Sequence, residues 1–193
     1  MRIIAGEWRG RKLIAPKGEG TRPTADRARE TLFAMLTSRL GDFEGLQVAD
    51  LFAGSGALGL EALSRGAAHC LFVEQDRPAV DVIRTNVTAL GAGTRSRVEA
   101  ASVMQLQAAQ RPLDLILADP PYQSGAGEVA LDRLLRLGWI GPETWIAVET
   151  SFKEDFSVKG LTLQAERRVS KGKLSLLRLG APDASPAIAD AEA

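Results

Sequence analysis

The chain contains one cysteine, one histidine and one tyrosine among its 193 residues, and aromatic residues make up only 5% of it. Cys70 lies inside the apolar run Cys70-Leu71-Phe72-Val73, where a free cysteine packs as a small hydrophobe rather than acting as a nucleophile. A lone cysteine cannot form a disulfide framework. His69 has no Cys, Asp or Glu partner at metal-ligand spacing, so neither a zinc site nor a histidine-based catalytic triad can be assembled. No run approaches the ~20 apolar residues that would span a bilayer. The opening Met1-Arg2-Ile3-Ile4 turns polar without a cleavable signal, so a cytoplasmic protein is expected. Long repeats are also missing. The 45% hydrophobic and 25% charged content is that of an average globular protein, consistent with one domain over 1–180 and a monomer.

A net charge of zero hides a strong asymmetry. Residues 1–30 carry Arg2, Arg9, Arg11, Lys12, Lys17, Arg22, Arg27 and Arg29 against Glu7, Glu19, Asp26 and Glu30. The last thirteen residues, 181–193, hold only the acids Asp183, Asp190 and Glu192 and are rich in Ala and Pro, the composition of a disordered tail. A basic arm over 1–22 suits phosphate, hence nucleic acid, and Arg2, Arg9, Arg11, Lys12, Arg22 and Arg27 are its candidate contacts.

The most telling stretch is Asp119-Pro120-Pro121-Tyr122, directly after the apolar run 113–118. Open α/β sheets bind ligands at the carboxyl edge of their strands, where this motif falls. Two prolines stiffen the loop and donate no N–H, leaving the Pro120 carbonyl available to a ligand. A carboxylate at Asp119 only accepts hydrogen bonds, which suits an –NH2 donor. Tyr122 offers a ring on which a flipped base can stack. Asp119, Pro120 and Tyr122 are therefore the candidate catalytic residues for chemistry on an exocyclic amine.

Upstream, Gly54, Gly56 and Gly59 satisfy G-x-G-x-x-G between an apolar strand and a helical pattern. Glu74 closes the next apolar run, near the ~20-residue offset of the acid that binds ribose hydroxyls in this fingerprint. An adenosine-containing cofactor is implied. Asp50, four residues before Gly54, would repel a pyrophosphate but attract the ammonium of a methionine moiety, which favours S-adenosyl-L-methionine over a nicotinamide dinucleotide. Asp50, Phe52, Gly54, Gly56, Glu74 and Asp119 are the candidate cofactor residues, and Thr24 joins them if the first helix packs over the cofactor.

The pair Asp50-Leu51-Phe52-Ala53-Gly54-Ser55-Gly56 and Asp119-Pro120-Pro121-Tyr122 resembles the class I, Rossmann-like amino-methyltransferases. Within that superfamily, residues 2–13 and 21–33 are similar to the RsmD family, the bacterial 16S rRNA guanine-N2 methyltransferases, and the likeness runs from Met1 to about Gly180. The resemblance implies 16S rRNA of the small ribosomal subunit as substrate. It also implies an acid near the helix after the third strand that holds the adenine amine. Ala101 stands there instead, leaving Ser102 or Glu99 to take its place.

Alternating apolar runs and helical patterns predict a mostly parallel α/β sheet with helices on both faces. The strands are expected at 47–51, 70–74, 96–99, 113–118 and 144–149, with a hairpin at 161–169 and 173–179. The helices are expected from Thr24 to Leu40 and at 57–65, 77–90, 103–109 and 127–137. An N-terminal β-hairpin pairs 2–5 with 11–14. An antiparallel closing pair, completing seven strands, follows from the resemblance. Other readings stay open on the residues alone: an adenine-N6 or cytosine-N4 methyltransferase on RNA or DNA, a non-catalytic ribosome assembly factor, or a nicotinamide-dependent oxidoreductase.

Overall fold

The segments 47–51, 69–74 and 115–118 are largely apolar on both faces, as a sheet covered on both sides requires. In the computed structural model, which describes residues 1–16 and 23–180 apart from the side chains of 23–25, they form the centre of a seven-stranded sheet. Arg22, the Thr24 side chain and the tail at 181–193 lie outside the described residues. The strands are β1 (Gln47–Leu51), β2 (His69–Glu74), β3 (Ser96–Ala100), β4 (Leu115–Ala118), β5 (Trp145–Ser151), β6 (Leu161–Val169) and β7 (Gly172–Leu179). Their order is β3-β2-β1-β4-β5-β7-β6. The first five run parallel, and β7 pairs antiparallel with both β5 and β6.

Period-two alternation divides the core. Val48, Cys70, Phe72, Leu115 and Leu117 pack under Leu32, Phe33 and Leu36 of α1 (Pro23–Leu40) and Leu60 and Leu63 of α2 (Ala57–Ser64), with Ile83 of α3 (Arg77–Leu90). Leu51, Val73, Ile116, Ile146 and Val148 face Leu131 and Leu134 of α4 (Ala126–Arg136) on the other side. Local signals set the helix ends. Asp76 caps α3 by accepting the Ala79 N–H at 3.2 Å, and Gly91 ends it in a left-handed turn. The third fingerprint glycine is a packing residue. A Cβ on Gly59 would stand 2.4 Å from the Phe72 ring and 2.5 Å from the Cys70 sulfur, so only glycine lets α2 lie on β2.

One element differs from the sequence expectation. The helix expected at 103–109 is a single 3-10 turn over Val103–Gln105, closed by a Ser102–Gln105 capping box. The polar run that follows, with Gln107 and Gln110, has no apolar stripe to bury. The expected N-terminal hairpin is present in short form: beside the antiparallel Arg2–Lys12 bridge, the Ile3 N–H donates to the Arg11 carbonyl at 2.9 Å, the Gly10 N–H to the Ile3 carbonyl at 2.9 Å and the Leu13 N–H to the Met1 carbonyl at 3.1 Å. The hairpin docks on α2, where Glu61 accepts the Ile4 and Ala5 N–H groups at 2.8 and 3.0 Å. Ser64 accepts the Trp8 N–H on its hydroxyl and the Glu7 N–H on its carbonyl. A Cβ on Gly6 would overlap the Ser64 carbonyl at 1.8 Å, so the arm approaches α2 more closely than any side chain allows.

Glu61 is fully buried and also pairs with Arg65 at 2.9 Å and Arg29 at 3.6 Å. Removing one member of such a network leaves buried charge and unpaired N–H groups behind. Glu61→Ala is expected to cost about 3–5 kcal/mol in urea unfolding and to release the first fourteen residues to limited proteolysis.

Candidate active site

The turn from β1 into α2 is built on unusual backbone. Phe52 adopts φ 56, Gly54 φ 54, and Gly56 begins α2 with φ 76. A non-glycine residue held left-handed is a strain that functional loops commonly store. Glu74, ending β2, closes the turn by accepting the Gly54 N–H at 2.9 Å, and its other oxygen accepts the Asp76 N–H at 2.8 Å. Asn86 of α3 braces the same turn by donating to the Ser55 carbonyl at 2.9 Å, while it also holds both backbone groups of Ile14. Sequence reasoning missed Asn86, whose partners lie 31 and 72 residues away.

A cavity of about 580 Å³ opens along the carboxyl edge of β1, β2 and β4. Phe52, Gly54, Glu74, Ser102, Asp119, Pro120 and Tyr122 all line it. A smaller cavity of about 230 Å³ shares Phe52, Gly54 and Asp119 and adds Asp50, Arg29, Met1 and Glu149. Of the candidates for the adenine acid, Ser102 reaches the larger cavity. Glu99 instead pairs with Arg97 at 2.9 Å and lines a separate cleft on the sheet. Gly56 lines neither cavity and serves as the cap of α2.

Register fixes the carboxylates. Leu51 pairs with Ala118 and Ala118 with Val148, so Asp119, directly after β4, and Glu149 of β5 follow as neighbours one step further along the parallel pair. Side chains in register share a face. Asp119 is exposed, whereas Glu149 is half-buried and receives the Tyr122 hydroxyl at 3.0 Å. Burial raises the Glu149 carboxyl, and the Tyr122 O–H pulls it back down. Burial first, and then the negative Glu149, push the Tyr122 phenol far above its ordinary value, so it remains a neutral donor. The Gln123 N–H donates to Glu154 at 3.0 Å, a further tie between the Asp-Pro-Pro-Tyr loop and the segment after β5. Glu149 was not singled out from the sequence. Its signal was a strand ending in an acid, as β4 does.

Arg2, Arg9 and Arg27 converge on a groove of about 550 Å³ together with Asp26 and Glu30. The groove adjoins the smaller cavity through the chain neighbours Met1 and Arg2. Arg11 and Lys12 are exposed outside it, and Arg11 donates to the Ala89 carbonyl at the end of α3.

The chain matches the family model described as conserved hypothetical protein 95 over residues 1–178. It is 43% identical over 150 residues to the ribosomal RNA small subunit methyltransferase D of Escherichia coli strain K12, covering 78% of this chain and 74% of that protein. The Haemophilus influenzae protein of the same name is 39% identical over 155 residues, covering 78% of each. Among solved structures, the Escherichia coli protein yhhF superposes with a TM-score of 0.80 at 37% identity, over 94% of this chain and 99% of that one.

Asp50 carries a testable electrostatic consequence. It is 1% exposed, and its carboxylate accepts the Gly59 N–H at 2.8 Å. Burial raises its pKa well above the ordinary 3.8, the Gly59 N–H lowers it, and Asp119 and Glu74 raise it further. A carboxyl with a raised folded pKa holds its proton more tightly in the folded state. Stability from this group is thus greatest below about pH 4 and is lost as pH rises through the folded pKa. Asp50→Asn keeps an acceptor for Gly59 and removes the charge. Thermal melts should show a higher Tm than the parent at neutral pH and a flatter stability profile between about pH 4 and pH 8.

Proposed function

The chain belongs to the RsmD family of methyltransferases, and on that footing we propose that it methylates the exocyclic N2 amine of a guanine in 16S rRNA of the small ribosomal subunit, with S-adenosyl-L-methionine as donor. The observation that carries this reading is the position of Asp119-Pro120-Pro121-Tyr122 on the rim of a cavity that also contains Gly54 and Glu74. A stiff amine-accepting loop beside a ribose-accepting acid suits transfer from an adenosyl donor to an amine.

The residues fit that donor. Gly54 lines both cavities, and a Cβ added to it would meet nothing nearer than the Phe52 carbonyl at 4.0 Å, so its missing side chain leaves room rather than filling a packing gap. Glu74 presents acceptors for ribose hydroxyls. Asp50, Asp119 and Glu149 give the smaller cavity a negative lining that favours an ammonium. Phe52 lines both cavities, and Ser102 offers the larger one a polar group for the adenine. When bound, the cofactor supplies a methyl group on a sulfonium, a donor reactive enough that the protein needs mainly to position and polarise.

The guanine amine is conjugated with its ring, so its lone pair is a poor nucleophile. Asp119 and the Pro120 carbonyl accept the two amine hydrogens and turn the lone pair towards the methyl. Positive charge grows on nitrogen as the new bond forms, and the Asp119 carboxylate stabilises it. The surplus proton leaves through Asp119 to solvent, which reaches this exposed side chain. Tyr122, 48% exposed, offers its ring for stacking and resists rotation of the base. Arg2, Arg9 and Arg27 contact phosphates on the approach to the site.

Asp119→Ala is expected to lower single-turnover methyl transfer by about 10²–10³-fold. Cofactor affinity, read by calorimetric titration, should stay within about threefold if the acid acts mainly on the amine. A fully active variant would remove this mechanism. Replacing Arg2, Arg9 and Arg27 together by alanine should flatten the dependence of log K on log salt by about 0.7 per lost contact. An unchanged slope would exclude the groove as the RNA surface.

A further inference from the structure

We infer that Glu149 is the residue that selects guanine, by accepting the hydrogen on N1 next to the amine that is methylated. The inference rests on the guanine-N2 reading above and concerns a question that Asp119-Pro120-Pro121-Tyr122 leaves open. Two acceptors aimed at an exocyclic amine bind the amines of guanine, adenine and cytosine alike. The ring nitrogen beside the amine differs. In guanine it is N1–H, a donor; next to the amine of adenine or cytosine it is a bare acceptor. A carboxylate beside the amine site would bond the first and repel the others, because an ionised carboxylate only accepts.

Glu149 has the position for this. It follows Val148, the β5 partner of Ala118, so it stands beside Asp119 on the same face of the parallel pair. Both side chains line one cavity, together with Phe52. Its only side-chain hydrogen bond among the described residues is from the Tyr122 hydroxyl to Oε1, at 3.0 Å. That bond fixes the carboxylate and leaves Oε2 with its full acceptor capacity. Tyr122 therefore ties the stacking ring and the edge-reading carboxylate into one unit. Burial of the side chain sharpens the selection, since an unmet acceptor facing a bare ring nitrogen has little water to turn to. Lys173, on the neighbouring strand β7, donates to the Glu154 carbonyl and pairs with Glu166, not with Glu149.

The probe is 2-aminopurine, which keeps the 2-amine of guanine and replaces N1–H by a bare nitrogen. Transfer by the unmodified enzyme first maps the target guanine. Synthetic RNA carrying guanine or 2-aminopurine there is then compared, built into small subunits if naked RNA is not accepted. The full-length enzyme should favour guanine in kcat/KM by roughly 30-fold or more, the worth of a hydrogen bond to a charged group. Glu149→Gln, whose amide can also donate, and Glu149→Ala should each lower that ratio at least about tenfold, with cofactor affinity and Tm reporting on folding. Equal losses on both bases, or an unmodified enzyme that makes N2-methylguanosine yet treats the two bases alike, would assign N1–H to Asp119 or to nothing and overturn the inference. An unmodified enzyme that makes no N2-methylguanosine would instead overturn the functional reading beneath it.

Discussion

The parallel register of β1, β4 and β5 is the constraint on which the site depends. It leaves Asp119, directly after β4, beside Glu149 of β5. Asp50 sits one pleat below on the same face. Holding several carboxylates together is unfavourable: burial first, and then Asp119 and Glu74, raise the pKa of Asp50, while burial raises that of Glu149. A one-residue slip of β4 against its neighbours would turn Asp119 to the opposite face of the sheet. The continuous apolar strands, buried between α1, α2 and α3 on one side and α4 on the other, make that slip costly.

The second constraint is the docking of the first sixteen residues. Glu61, Ser64 and Asn86 take their backbone groups one by one, so this segment is part of the domain wall rather than a loose basic arm. The consequence is a division of labour among its cations. Arg29 is buried and serves the Glu61 network, and Arg95 stacks on Trp8 while pairing with Glu7. Arg2, Arg9 and Arg27 remain at the groove surface. The same docking brings Met1 to the cavity that Asp119 and Glu149 line, next in sequence to Arg2 of the groove.

Much of this was legible in the sequence. The five parallel strands and the strand–turn–helix around Gly54 and Gly56 follow from local patterns, the antiparallel closing pair from the family resemblance, and each is present. The 103–109 helix failed because a capping box starts a turn but cannot extend it without an apolar stripe. The hairpin was legible, but its docking on α2 was not, because those partners lie more than fifty residues away. Long range also hid Glu61, Asn86 and the Tyr122–Glu149 bond, since nothing near any of these residues signals its partner. Asp50 was legible as an acid at the glycine loop but not as a buried one, because burial is decided by α2 closing over it.

The most direct test supplies methyl-labelled S-adenosylmethionine, together with total rRNA and small ribosomal subunits from cells lacking this protein, and identifies the labelled nucleoside. A single N2-methylguanosine in 16S rRNA is the predicted product. Label in N6-methyladenosine, or no transfer to any RNA despite tight cofactor binding, would contradict the account.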